Sequence, residues 1–115
     1  MTWNGSGPPA FQLYARDWLM STRTLTPEAR GIYMDLLCLG WDQDGIPANP
    51  DELLPHLAIT KARWKRIWPQ IKTKWPEAEA GRRRNPRQES LRQELNDLRI
   101  KRSKAGKAGA KGRHR

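Results

Sequence analysis

The chain has 115 residues and a formal net charge of +10, enough for one domain with appendages, and no apolar stretch approaches the ~20 residues of a membrane span. Its single cysteine, Cys38, excludes an internal disulfide and any multi-cysteine metal site. Residues 1–81 hold nine basic and nine acidic side chains, whereas residues 82–115 hold 13 of the 22 Lys and Arg against 3 of the 12 Asp and Glu, which accounts for the whole net charge.

Residues 1–9 contain Gly5, Gly7, Pro8 and Pro9 and are expected to be disordered. Phe11 and Leu13 alternate with polar or small residues, which suggests a short strand. Asp17, Trp18 and Leu19 read as a turn that drops two large side chains into the core. The clearest helix follows. Thr26 suits the cap, Pro27 the first helical position, and Glu28 the positive end of the dipole. Ala29, Ile32, Tyr33, Leu36, Leu37 and Gly40 then recur on one face. Cys38 lies in the apolar run Met34–Gly40, so a small buried hydrophobe is expected there. Asp42-Gln-Asp-Gly45 is a turn, and Ile46–Pro47 a very short strand.

Asn49 caps a second helix with Pro50 first and Glu52 completing a capping box. Pro55 shortens or distorts this helix, which should end near Ala58. Thr60 caps a third. Trp64, Ile67, Trp68 and Ile71 face inward by spacing, while Lys61, Arg63, Lys65, Arg66 and Gln70 face outward. From Leu53 to Trp75 there is no acidic residue and there are six Lys or Arg. Pro69 should kink or end the helix. Two helices joined by a tight turn, the second with a basic outer face, form the pattern of a helix-turn-helix unit; an ordinary solvated helix is the alternative.

All six Trp lie between residues 3 and 75, so the core should end near Trp75. Beyond it, Gly81 can turn a hairpin that would be the wing of a winged helix, with Arg82, Arg83 and Arg84 facing phosphate. The alternative is an irregular basic loop. Asn85 and Pro86 start a last helix to about Arg102, with Leu91, Leu95 and Leu98 on a narrow face that packs on the body or pairs with a second copy. From Ser103 the recurring glycines argue for a flexible cationic tail. The expected organisation is a disordered 1–9, a domain over 10–84, a C-terminal helix over 85–102 and a basic tail over 103–115. The fold class is mainly α: a small winged-helix domain with a short β-hairpin wing, a C-terminal helix and a basic flexible tail.

The stretches Pro9-Ala-Phe-Gln-Leu-Tyr-Ala-Arg-Asp-Trp-Leu19 and Leu25-Thr-Pro-Glu-Ala-Arg-Gly-Ile-Tyr33, with Leu36-Leu37 and Trp41, resemble the DUF1376 family of phage and prophage proteins. Arg63-Trp64, Asn85-Pro86 and the Ser-Lys-Ala-Gly-Lys-Ala-Gly tail also match its pattern, and the resemblance covers about residues 8–112. It implies a winged-helix domain, a setting near phage replication genes similar to that of replication-initiation or helicase-loading proteins, and no established catalysis. The family has no agreed catalytic or binding residues to carry over. Pro76-Glu-Ala-Glu-Ala80 departs from it, being more polar than an apolar wing strand.

A neutral body with a basic extension points to a polyanion, and first to nucleic acid, because Lys and Arg on phosphate release condensed counterions. A solubilising tail is the plain alternative. Residues expected to contact DNA are Lys61, Arg63, Lys65, Arg66 and Gln70, then Arg82, Arg83 and Arg84, then Lys101, Arg102, Lys104 and Lys107. Competing readings are an adaptor engaging a host replication or defence complex, and a transcriptional regulator, which would need a dimer. No enzyme, metal or cofactor is expected. His56 stands alone, His114 lies in the tail, the Asp42–Gly45 turn lacks the later Glu of a calcium loop, and no phosphate-binding glycine loop precedes a helix. No secretory leader or membrane-surface helix is evident, so a bacterial cytoplasmic location is expected.

Overall fold

The computed structural model describes residues 10–113, with side chains to residue 106; the disorder expected of residues 1–9 concerns a segment outside them. The described chain is mainly helical. Its elements are α1 (Ala15–Thr22), α2 (Pro27–Gln43), β1 (Ile46–Pro47), α3 (Pro50–Leu57), α4 (Lys61–Ile71), a 3₁₀ turn (Lys72–Lys74), β2 (Arg82–Arg83) and α5 (Pro86–Arg113). No helix among the described residues is long and apolar enough to cross a membrane.

The N-terminal segment departs from expectation. Phe11–Leu13 forms no strand, because no sheet edge lies beside it, and Asp17–Leu19 belong to α1 rather than to a turn. Trp18 packs half-buried on Tyr33, with ring centroids 5.6 Å apart and planes at 11°. Leu19, one residue on, points the other way and is 64% exposed.

α2 is the central element. The Thr26 hydroxyl accepts the Ala29 N–H at 3.3 Å, and Asp44 ends the helix in the left-handed region at φ 58°. Ala29, Ile32, Tyr33, Leu36, Leu37, Gly40 and Trp41 are buried. That face leaves Cys38 outside, so the thiol is exposed instead of buried.

β1 forms as expected and pairs antiparallel with β2, Ile46 opposite Arg83. Glu77 bridges Arg83 from the other side, and the Arg82 N–H closes a turn on the Glu79 carbonyl at 3.0 Å, with Gly81 at φ 74°. α3 is capped by Asn49, whose side chain accepts the Asp51 N–H at 3.0 Å, and it runs past Pro55 to Ala58 at φ 53°.

Thr60 caps α4 through the Arg63 N–H, and the helix continues through Pro69 to Ile71. Pro69 therefore removes one internal hydrogen bond without ending the helix. Trp64, Ile67 and Ile71 are buried with Trp68 packed against them, so the inner face lies where the spacing put it. Trp75, fully buried, closes the core.

α5 leaves from a polar joint. The Asn85 side chain accepts the Gln88 N–H and donates to the Lys74 carbonyl and the Tyr33 hydroxyl. Gln88 donates to the Leu37 carbonyl at 2.7 Å, and Arg92 to the Gly40 and Trp41 carbonyls at 3.0 and 3.2 Å. Successive turns of α5 thus meet successive turns of α2, and the two helices run the same way. α5 continues to Arg113 instead of stopping at Arg102, because its alanines and lysines favour helix more than three spaced glycines oppose it.

Candidate nucleic-acid interface

The basic side chains occupy three places with different surroundings. On α4 the outward residues are exposed but partly paired. Lys61 meets Asp51 at 2.9 Å, and Glu28 receives Arg63 at 2.8 Å and Arg66 at 3.3 Å. The Arg63 hydrogen bond above all holds the Glu28 carboxyl below its usual range. Lys65 is exposed, and its side chain has no ion pair or hydrogen bond among the described residues. Gln70 is held by the protein itself. Its side chain accepts the Thr26 N–H at 3.0 Å and donates to the Thr26 hydroxyl, fastening α4 to the start of α2.

Arg82, Arg83 and Arg84 were expected on phosphate, but the protein's own groups take them. Arg82 donates to the carbonyls of Gln43, Asp44 and Gly45, the last at 2.8 Å. Arg83 donates to the Trp75 carbonyl, pairs with Glu77 and lies 5.2 Å over the Trp68 ring. Arg84 sits among Glu79, Asp44 and Glu89. These bonds push the Arg84 pKa up and hold the Glu79 carboxyl at about 2, and Arg84 likewise lowers Asp44. The triplet is an internal clasp joining the α2–β1 turn, the hairpin and α5.

The third place is α5 beyond the body. Lys101, Arg102 and Lys104 are exposed, and their side chains make no ion pair or hydrogen bond among the described residues. Lys107 lies in the helix, its side chain outside the described residues. After Asp97 the sequence has eight Lys or Arg and no acid.

The structure does not bring these groups together. Arg66 meets Glu28 at the start of α2, whereas Arg92 meets Gly40 near its end, about 18 Å along the axis at 1.5 Å per residue. Arg99 follows seven residues, roughly 10 Å, further out. The α4 and α5 cations therefore mark two ends of the molecule.

The sequence reading missed two features. Arg92 is buried, stacked 4.5 Å over Trp41, and anchors α5. Between α1 and the base of α5 lies a cavity of about 310 Å³ lined by Leu13, Tyr14, Trp18, Arg87, Leu91 and Glu94 among others, with Arg87 paired to Asp17 across its rim. Neither was legible: both depend on where α5 docks, and the cavity also on α1 being a helix.

No curated protein and no solved structure matches the chain. A family model described as a protein of unknown function (DUF1376) matches residues 9–92. Nearly three-quarters of the sequence, from the N-terminal segment through the buried Arg92, therefore carries the family pattern, and the chain belongs to the DUF1376 family.

Proposed function

We propose that this is a DNA-binding protein that holds phosphate at two places, the outer face of α4 and the outgoing half of α5. The observation that carries the reading is the bases-only projection of α5, where Lys101, Arg102 and Lys104 stand in solvent without an acidic neighbour after Asp97. Such a helix neutralises phosphates and gains from counterion release without reading sequence. Lys65 and the Glu28-braced Arg63 and Arg66 supply the second contact. Arg82–Arg84 and Gln70 take no part, since internal bonds occupy them.

The body that carries these cations reads as a winged helix. Supporting this are the order α2, β1, α3, α4 and hairpin, and the place of β2 between β1 and Glu77. Its wing is minimal and its turn acidic, with Glu77 and Glu79, so the wing itself repels phosphate. Phage replication initiation or helicase loading is the setting we assign to this binding.

Fluorescence anisotropy with labelled duplex and single-stranded DNA tests the reading. Lys65→Glu, and separately Lys101→Gln with Arg102→Gln and Lys104→Gln, should each weaken binding while leaving thermal unfolding unchanged, because none of these side chains has an ion pair or hydrogen bond among the described residues. Binding by both variants equal to that of the parent would remove the proposal. A second reading, an adaptor for a protein partner, is favoured by Leu13, Tyr14, Leu19 and Met20, four large apolar side chains exposed by half or more at the N-terminal end.

A further inference from the structure

We propose that α5 pairs antiparallel with α5 of a second copy, each helix lying along the groove between the other's α1 and the base of its α5. Leu91, Leu95 and Leu98 recur at intervals of four and three and share one side of the helix. Gln88, at the start of this stripe, is buried against Leu37. Leu91 and Leu95 are half-buried, and Leu98 is 43% exposed. The stripe outlasts the body that covers it. Leu91 also lines the cavity with Leu13 and Tyr14, themselves half-exposed, so uncovered apolar surface continues from helix into groove.

Charge selects the occupant and its direction. The charges on the outgoing half of α5 are divided, with the acids Glu94 and Asp97 followed, among charged residues, by bases alone from Arg99. A parallel pair would set two bases-only halves side by side and crowd both bodies at one end. An antiparallel pair lays each basic half along the other copy's acidic turn. With the two-fold axis between Asn96 and Asp97, Leu95 meets Leu98 of the second copy, and Leu91 meets the aliphatic stem of its Arg102. Glu94 then faces Lys101 of the second copy, the two holding equivalent flanking positions of the seam. Every contact occurs twice by symmetry. Lys104 lies well round the helix from this seam, at 3.6 residues per turn, and keeps facing solvent. The pairing does not rest on the DNA reading, and in the dimer Lys101 and Arg102 turn to the seam while Lys104 stays open to phosphate.

Sedimentation velocity of the full chain, without DNA, tests this. A concentration-dependent monomer–dimer equilibrium is expected. Leu98→Glu should weaken it about a hundredfold, because each copy loses a buried leucine. Leu98 is exposed in the monomer, so the variant should keep its thermal unfolding profile. Glu94→Lys and Lys101→Glu should each weaken association, and the double exchange should restore it; a parallel pair gives no such rescue, since it does not bring positions 94 and 101 together. A chain that stays monomeric to high micromolar concentration, a dimer indifferent to Leu98→Glu, or a double exchange no better than either single change would each overturn the proposal.

Discussion

Two glycines of α2 allow a matched test of how α5 is seated. A Cβ at Gly40 would lie 2.7 Å from Trp75 Cη2 and 2.8 Å from Gln88 Oε1, while one at Gly31 meets nothing within 4 Å. Both substitutions to alanine gain helix propensity, about 0.8–1 kcal/mol each. At Gly31 nothing opposes that gain. At Gly40 the new methyl presses on a fully buried indole and on a side chain held by its 2.7 Å bond to the Leu37 carbonyl, so neither yields easily. Overpacking of this kind costs roughly 2–3 kcal/mol. Gly40→Ala should therefore be destabilised by about 1–2 kcal/mol net, and Gly31→Ala stabilised by somewhat under 1 kcal/mol. At about 4 °C per kcal/mol for a chain of this size, the two midpoints should differ by roughly 10 °C in thermal unfolding followed by circular dichroism. Equal midpoints would mean that α5 does not press Gln88 onto α2 and Trp75 as described.

Other consequences can be checked in the same way. Trp64→Ala should cost about 3–5 kcal/mol in urea unfolding and Trp68→Ala less, since Trp64 is buried and Trp68 only half so. Glu79, Asp44 and Glu28 have carboxyl pKa values lowered by arginine, so their contribution is complete above the ordinary carboxylate range. It should fade as pH drops from the mid-fours through about 2, where the Arg84 guanidinium holds the Glu79 carboxyl, and Arg84→Met should flatten that part of the stability–pH profile. Cys38, exposed and unpaired, should react with a thiol reagent in the native state at a rate close to that in denaturant; slow native labelling would put it back inside.

Much of the body was legible because its signals are local. Thr26 with Pro27, Asn49 with Pro50, and Thr60 each cap the helix that their chemistry announces, and the tryptophan–isoleucine spacing of α4 names its inner face. The surroundings of the arginine triplet were not legible, because charge alone does not say where its counterion lies. Asp44 reaches Arg84 from 40 residues away, and only the nearby Glu77, Glu79 and Glu89 hinted that Arg82–Arg84 were already matched. Two alternating residues, Phe11 and Leu13, are too few to specify a strand, and the helix begins only beyond them, at Ala15. In α5 the alanines and lysines outweigh the glycines that they separate. The broad apolar run around Cys38 hid which turn of α2 faces out, a choice made by packing against α4 and α5.

The salt dependence of DNA binding by the unaltered chain tests the central claim most directly. With about five phosphate contacts shared between α4 and α5, the logarithm of the association constant should fall with the logarithm of salt concentration at a slope near −4.5 for duplex DNA. A slope near zero, or no binding at low salt, would contradict it.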